Sequence, residues 1–325
     1  MTTQRKIRLA LIGCGEHAEV GHAIPLARYK AAHLEEVELL AACDIQFDRA
    51  QKFCAKYGFR TPYRDIDEML SREEIDGCIT VVPPQRISEV GVMILDRRIP
   101  CVVEKPLASS LPELKTLCSA AASSSTPNMV SVNRRFMPFL NRALQWARNA
   151  GPTRYIRSTL ARHARTEPEF IWATAVHAVD TLRYIGGDVA GFDCQFVRSR
   201  GNSALWYTIQ LHFRSGAEGR IDVLPTSGML EETYDLFGDG FRVSVTCPFG
   251  KKRGWLAYRE GVLVEEEVAP ADMPEDVLNG CYDETTAFIE ALRDNRALKP
   301  TIADVAPSVE ICMSVAKSVE CEAPR

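Results

Sequence analysis

The sequence predicts an α/β fold whose N-terminal part is a doubly wound parallel sheet and whose C-terminal part is an α+β unit rich in short strands. Three observations carry this. The apolar run Ile7-Arg8-Leu9-Ala10-Leu11-Ile12 reads as a buried strand and runs straight into the glycine-rich stretch Gly13-Cys14-Gly15. Apolar strands then alternate with helical patterns as far as Val132, which implies right-handed crossovers and a parallel sheet. From Phe192 to about Val268 the pattern changes to short strand signals separated by turns such as Gly238-Asp239-Gly240.

Taken in order, the first part offers strands at Val37 to Cys43, Gly77 to Val82, Cys101 to Glu104 and Met129 to Val132. Helices are expected near 47–57, 65–71, 86–97 and 111–123. The second part opens with a helix from Phe136 to Ala150 and a strand from Tyr155 to His163. A helix from Phe170 to Ile185 follows, stopped by Gly186-Gly187. The strands after Phe192 suggest a meander in which each pairs with its neighbours. The amphipathic helices Tyr282 to Asn295 and Ala306 to Val319 close the chain. This places a nucleotide-binding domain at 1–132 and a second domain at 133–325, whose last helix can pack back on the first.

With 325 residues, 46% hydrophobic and 25% charged, the composition is that of an ordinary globular protein. The net charge of -4 comes from interspersed acids and bases, which argues against nucleic acid and membrane surfaces and for a small-molecule ligand. No apolar run approaches a membrane span, and Gln4-Arg5-Lys6 leads into Ile7-Arg8-Leu9 rather than a signal-peptide core, so a cytoplasmic protein is expected. The 11 cysteines lie singly in apolar segments and form no metal-ligand spacing, so they read as reduced core residues with no metal site.

Gly13-Cys14-Gly15-Glu16-His17-Ala18 has the form G-x-G-x-x-A, a dinucleotide fingerprint. Gly13 supplies the tight turn, Gly15 allows the backbone to approach a pyrophosphate, and the following helix offers unpaired N–H groups to that anion. One helix later the strand Val37 to Cys43 ends in Asp44. A carboxylate there accepts ribose hydroxyls and repels a 2′-phosphate, which favours NAD over NADP; it can equally cap the helix starting near Phe47. Val82 and Pro83 fall at another strand's carboxyl end, where a rigid turn can line a nicotinamide pocket. Cys101-Val102-Val103-Glu104-Lys105-Pro106 puts Lys105 at a strand edge of the kind that holds ligands in open α/β sheets. By itself such a lysine is more often a solvated strand end; beside a cofactor it can exchange a proton with a substrate hydroxyl.

These pieces, with Asn133-Arg134-Arg135-Phe136 and His177-Ala178-Val179-Asp180 before Gly186-Gly187, resemble the Gfo/Idh/MocA family of nicotinamide-dependent oxidoreductases over nearly the whole chain. The resemblance implies a Rossmann domain followed by a domain with an open, mostly antiparallel sheet, one face of which is buried in a homodimer or homotetramer. It implies that Lys105 is the proton-transferring lysine, positioned by Glu104, and that the Lys105-Pro106 bond is cis. Two positions depart from the family pattern. Ala173 stands where many members carry an aspartate four residues before the histidine, and Ile87 stands where a histidine often follows the Pro83 turn.

In the second half, Arg162, His163 and Arg165 are candidates for binding a carboxylate or phosphate on the substrate, although surface charges usually face water. Trp172 and His177 share the following helix. A solitary histidine on an apolar helix face is usually a core residue; the resemblance instead points His177 at the substrate oxygen, with Asp180 orienting or capping. The expected reaction is reversible hydride transfer between NAD and a secondary alcohol of a sugar, cyclitol or related polyhydroxylated compound. Catalysis falls to Lys105 and His177. Cofactor binding falls to Gly13, Cys14, Gly15, Glu16, His17, Asp44, Val82, Pro83, Glu104 and Lys105, and substrate binding to Lys105, Arg162, Trp172 and His177. The alternatives are a non-catalytic nucleotide-binding regulator, which Ala173 favours, and redox-neutral elimination or hydrolysis with NAD as a transient oxidant.

Overall fold

The computed structural model describes residues 5–199 and 204–322. Two compact units are present. The first comprises residues up to Val132 together with Cys281–Pro307, and the second comprises Asn133–Gly280 with the residues from Ser308 onward.

In the first unit β1 (Ile7–Ile12), β2 (Val37–Cys43), β3 (Thr61–Tyr63), β4 (Gly77–Thr80), β5 (Cys101–Glu104) and β6 (Asn128–Ser131) form a wholly parallel sheet in the order β3-β2-β1-β4-β5-β6. The central strands are buried along most of their length, which is why they read as continuous apolar runs rather than alternating ones. The crossovers are made by α1 (Glu16–Ala18), a π-helical turn (Glu19–Ala23), α2 (Ile24–Ala32), α3 (Phe47–Tyr57), α4 (Ile66–Arg72), α5 (Pro84–Asp96) and α6 (Leu111–Ser124). Because all six strands run the same way, the residues that follow β1, β2, β4 and β5 emerge on one edge of the sheet.

The second unit begins with a 3-10 turn (Asn133–Phe136), α7 (Pro138–Ala150) and β7 (Thr153–Ala161), then α8 (Phe170–Ala173) and α9 (Val176–Gly186). The expected single helix from Phe170 is broken at Thr174-Ala175. The last turn of α8 closes there through Thr174 and Ala175 N–H groups that both donate to Phe170, and α9 starts afresh. Seven further strands follow: β8 (Val189–Arg198), β9 (Leu205–Phe213), β10 (Glu218–Leu224), β11 (Glu231–Gly238), β12 (Phe241–Thr246), β13 (Gly254–Arg259) and β14 (Val262–Val268). They form a sheet with β7 in the order β14-β13-β12-β11-β7-β10-β9-β8.

The meander expected from the sequence is therefore two meanders with β7 inserted between them, antiparallel to β11 and parallel to β10. Short turns join β9 to β10, β11 to β12 and β13 to β14. The link from β10 to β11 must step over β7, and no local sequence signal marks that step. Alternation along β7 buries Ile156, Ser158 and Leu160 on the face packed by α9, and leaves Tyr155, Arg157 and Thr159 on the other. The chain ends with α10 (Glu275–Leu278), α11 (Cys281–Arg293) and α12 (Ile302–Glu322). Among the described residues, no helix is long and apolar enough to cross a membrane.

Candidate active site

At the carboxyl edge of the parallel sheet, Gly13 adopts φ +91°, and a Cβ there would lie 2.0 Å from the Val81 carbonyl oxygen. Only glycine fits this turn. Gly15 has nothing within 4 Å of the position its Cβ would take, so its backbone is open to close approach.

Asp44, nearly buried, bridges this loop to β2. Its Oδ2 accepts the Cys14 N–H at 2.9 Å and its Oδ1 accepts the Gln46 N–H at 2.8 Å. It does not cap α3, whose N-cap is Gln46 and has no side-chain bond. The Arg49 guanidinium stands 3.9 Å from Asp44 Oδ2. Glu16 and His17 are exposed at the start of α1, Val82 is half-buried, and Pro83 is exposed at the end of β4. A turn only glycine can make, an open Gly15 and an ionisable acid one strand away are what a dinucleotide's pyrophosphate and ribose require.

Glu104 ends β5 as a buried carboxylate. Its Oε1 lies 3.1 Å from His17 Nε2 and 2.9 Å from His22 Nε2, and its Oε2 accepts the backbone N–H of Lys105 at 2.9 Å. Burial pushes this carboxyl up, but the two imidazoles and their hydrogen bonds override it and hold the group well below the usual carboxylate range. Lys105 follows, half-buried, with a cis bond to Pro106. His22 was not among the residues singled out in the sequence. Its signal is the second histidine of Glu16-His17-Ala18-Glu19-Val20-Gly21-His22, which reads as an ordinary helix residue until the strand-end glutamate is placed beside it.

In the second unit His177 is buried on the first turn of α9, and its carbonyl accepts from Thr181 Oγ1 at 2.7 Å. Asp180, also buried, is held by a fork from Arg135, with Nε at 2.8 Å and Nη2 at 2.7 Å, and by Ser308 Oγ at 2.9 Å. Arg135 also lies over the Tyr184 ring. Asp180 thus fixes the helix that carries His177.

Arg134 performs the matching task on Glu232, donating from Nε at 3.0 Å and Nη2 at 2.8 Å. Arg162 pairs with the same carboxylate and donates to the Ala161 carbonyl at 2.8 Å, and both guanidinium groups stand over the Phe249 ring. Burial raises the Glu232 carboxyl, and the two arginines pull it below its ordinary value. The fork of Arg162 is therefore engaged inside the unit. The two arginines of Asn133-Arg134-Arg135-Phe136 each hold one buried acid.

His163 and Arg165 are exposed. Trp172 is half-buried and lines a cleft of about 440 Å³ with Arg165, Phe170, Arg198, Leu205 and Tyr207. Ala173 ends α8, its N–H bonded to the Glu169 carbonyl at 2.7 Å, and Ile87 is buried in the first unit's core.

Residues 7–133 match the family described as oxidoreductases with an NAD-binding Rossmann fold, Gfo/Idh/MocA. The match lies in the nucleotide-binding part of the chain, from β1 to the residue after Val132.

Similar curated proteins include 4-carboxy-2-hydroxymuconate-6-semialdehyde dehydrogenase of a Sphingobium strain, 24% identical over 92% of this chain and 94% of its own. D-apiose dehydrogenase of Paraburkholderia graminis is 26% identical over 72% of this chain and 64% of its own. The fold is shared with levoglucosan dehydrogenase, solved in complex with NADH and L-sorbose: TM-score 0.83, 15% identity, 98% of each chain. Residues 7–133 are thus matched as an NAD-binding Rossmann fold, and the similar curated proteins are dehydrogenases.

Proposed function

We propose that this protein is an NAD-dependent dehydrogenase that interconverts a secondary alcohol and a ketone on a sugar, cyclitol or related polyhydroxylated compound. The observation that carries the reading is Glu104-Lys105-Pro106 at the carboxyl end of β5, on the edge where the glycine-rich loop and Asp44 also emerge. The relatives named for apiose and levoglucosan support the substrate class.

When bound, the dinucleotide supplies the hydride acceptor, and the protein supplies binding, orientation and proton handling. The loop Gly13-Cys14-Gly15 with Glu16 and His17 receives the pyrophosphate, and Asp44 receives the ribose hydroxyls and disfavours a 2′-phosphate, which makes NADP the weaker ligand. Val82 and Pro83 border the nicotinamide end. Lys105 Nζ takes the proton of the reacting hydroxyl, and Glu104 holds the lysine's backbone. His177 is assigned a hydrogen bond to the substrate oxygen, and Asp180 steadies the helix that carries it. Trp172 contributes an apolar wall for the substrate ring. Arg162, tied to Glu232, acts on substrate binding through the strand it anchors.

The assembly we propose is a homodimer or homotetramer through the face of the eight-stranded sheet opposite α7 and α9. That face carries Tyr155 and Phe237 in a tilted ring contact, flanked by Arg157 and Arg242 over Phe237. Sedimentation of the purified protein tests it, a monomer at micromolar concentration being the contrary result.

The reaction is tested by following NADH formation with a panel of sugars and cyclitols. Net NADH production dependent on one of them supports a dehydrogenase. Turnover of a sugar without net NADH, on tightly retained NAD, would instead place the protein among redox-neutral sugar enzymes.

A further inference from the structure

His17 and His22 converge on one oxygen, Glu104 Oε1, at 3.1 and 2.9 Å. An ionised carboxylate only accepts, so both imidazoles present Nε2–H to it. In a regular α-helix, residues five apart point about 140° away from each other. The π-helical turn Glu19–Ala23 widens the helix at this point and brings the two rings to one face, where they meet edge-on at 6.5 Å. The turn is held from outside, because the Glu19 carboxylate accepts from Lys56 and Tyr57 of α3. Inserted π turns of this kind cluster at functional sites.

The two rings differ in setting. The His22 side chain is 3% exposed, whereas that of His17 is 56% exposed and sits two residues after Gly15. The titratable groups acting on Glu104 are His17 from α1 and His22 from the π turn, and its Oε2 accepts the backbone N–H of Lys105; on β6 its register partner Ser131 is neutral and donates to Glu284.

We propose that His17 is a positioning residue for Lys105: reaching from α1, directly after the glycine-rich loop, it holds the Glu104 carboxylate and draws off part of its charge, and so sets how readily the neighbouring lysine gives up its proton. This rests on reading Lys105 as the proton-exchanging group. A buried anion favours the ammonium form of an adjacent lysine. Each N–H donated to the anion weakens that bias. With the His17 donor removed, His22 and the Lys105 N–H still keep Glu104 ionised, the anion bears harder on the amine, and Lys105 becomes a poorer proton acceptor at neutral pH. The loop that receives the dinucleotide and the lysine that handles the proton are in this way joined through one carboxylate.

The test needs no substrate. The full-length protein, saturated with NADH, is labelled with acetic anhydride across a pH series, and acetylation of the Lys105 peptide is read by mass spectrometry in wild type, His17→Leu, His17→Ala and His17→Gln. The midpoint should move up by about half a pH unit or more in His17→Leu and in His17→Ala. It should return towards wild type in His17→Gln, whose amide restores a donor. A midpoint that stays put or moves down in the Leu and Ala variants overturns the inference, and so does a His17→Gln midpoint as displaced as theirs. Thermal unfolding of the same samples separates this from a general loss of structure, which the Gln variant would not selectively repair. Turnover by Lys105→Met reads the parent assignment independently, so the two can fail separately.

Discussion

Asp44 Oδ2 accepts the backbone N–H of Cys14 at 2.9 Å, so the acid that follows β2 holds the shape of the glycine-rich loop that follows β1. The acid has two tasks on this account, fixing the loop and receiving the ribose.

Asp44→Ala removes both. Losing a hydrogen bond to a charged group costs roughly 1.5 to 3 kcal/mol, so the affinity for NADH should fall by about 10- to 100-fold. The gap between NADH and NADPH should narrow at the same time, since the repulsion of a 2′-phosphate is lost. Fluorescence titration with each nucleotide checks both, and unchanged NADH binding would contradict the assignment.

Glu232→Ala leaves Arg134 and Arg162 facing each other in a buried site with their shared anion gone. Breaking such a cluster from one side should cost about 3 to 5 kcal/mol. Urea unfolding measures it, and a loss below about 1 kcal/mol would mean that water reaches the arginines.

Acid should weaken the fold through Glu104 and Glu232. Both bind their proton less readily folded than unfolded, so the unfolded chain takes up more protons in acid and stability rises with pH. Their contribution is complete above the unfolded glutamate value of about 4.3 and is lost as pH falls below it towards the depressed folded values. Urea midpoints at about pH 7, 5 and 3.5 should be similar for the first pair and clearly lower for the last.

The thiols should be quiet in the folded protein. Burial pushes Cys43, Cys101 and Cys247 up to about 12 and Cys14 and Cys78 up as well, so little thiolate exists near neutrality. Ellman's reagent should find Cys118 and Cys194 first among the described cysteines, and reach the buried ones only on unfolding. Rapid native labelling at Cys14 would show a loop more open than described.

The nucleotide half was legible because its signals are local. A strand, its glycine turn and the acid after the next strand are each read from a few neighbouring residues, and a parallel sheet necessarily gathers strand ends on one edge. The roles expected of Lys105 and His177 came from the family resemblance, since alone the one reads as a solvated strand end and the other as a core residue. What escaped the sequence depends on distant partners. Arg134 meets Glu232 across 98 residues, and Asp180 meets Ser308 across 128. Nothing near Arg162 says that its fork turns inward to Glu232 rather than out to a ligand. The π turn that aligns His17 with His22 leaves no mark either, because its one extra residue per turn does not show in the residue types of Glu19–Ala23. The place of β7 between β10 and β11 is set by the packing of the whole sheet, which local turns do not encode.

The most direct test of the central claim is turnover by Lys105→Met with the sugar or cyclitol that gives the fastest NADH formation in the wild type. If Lys105 takes the hydroxyl proton, the rate should fall by about 10² to 10⁴ while NADH affinity stays within about threefold. Undiminished turnover with intact NADH binding would contradict the account, leaving a nucleotide-binding fold whose proton acceptor lies elsewhere.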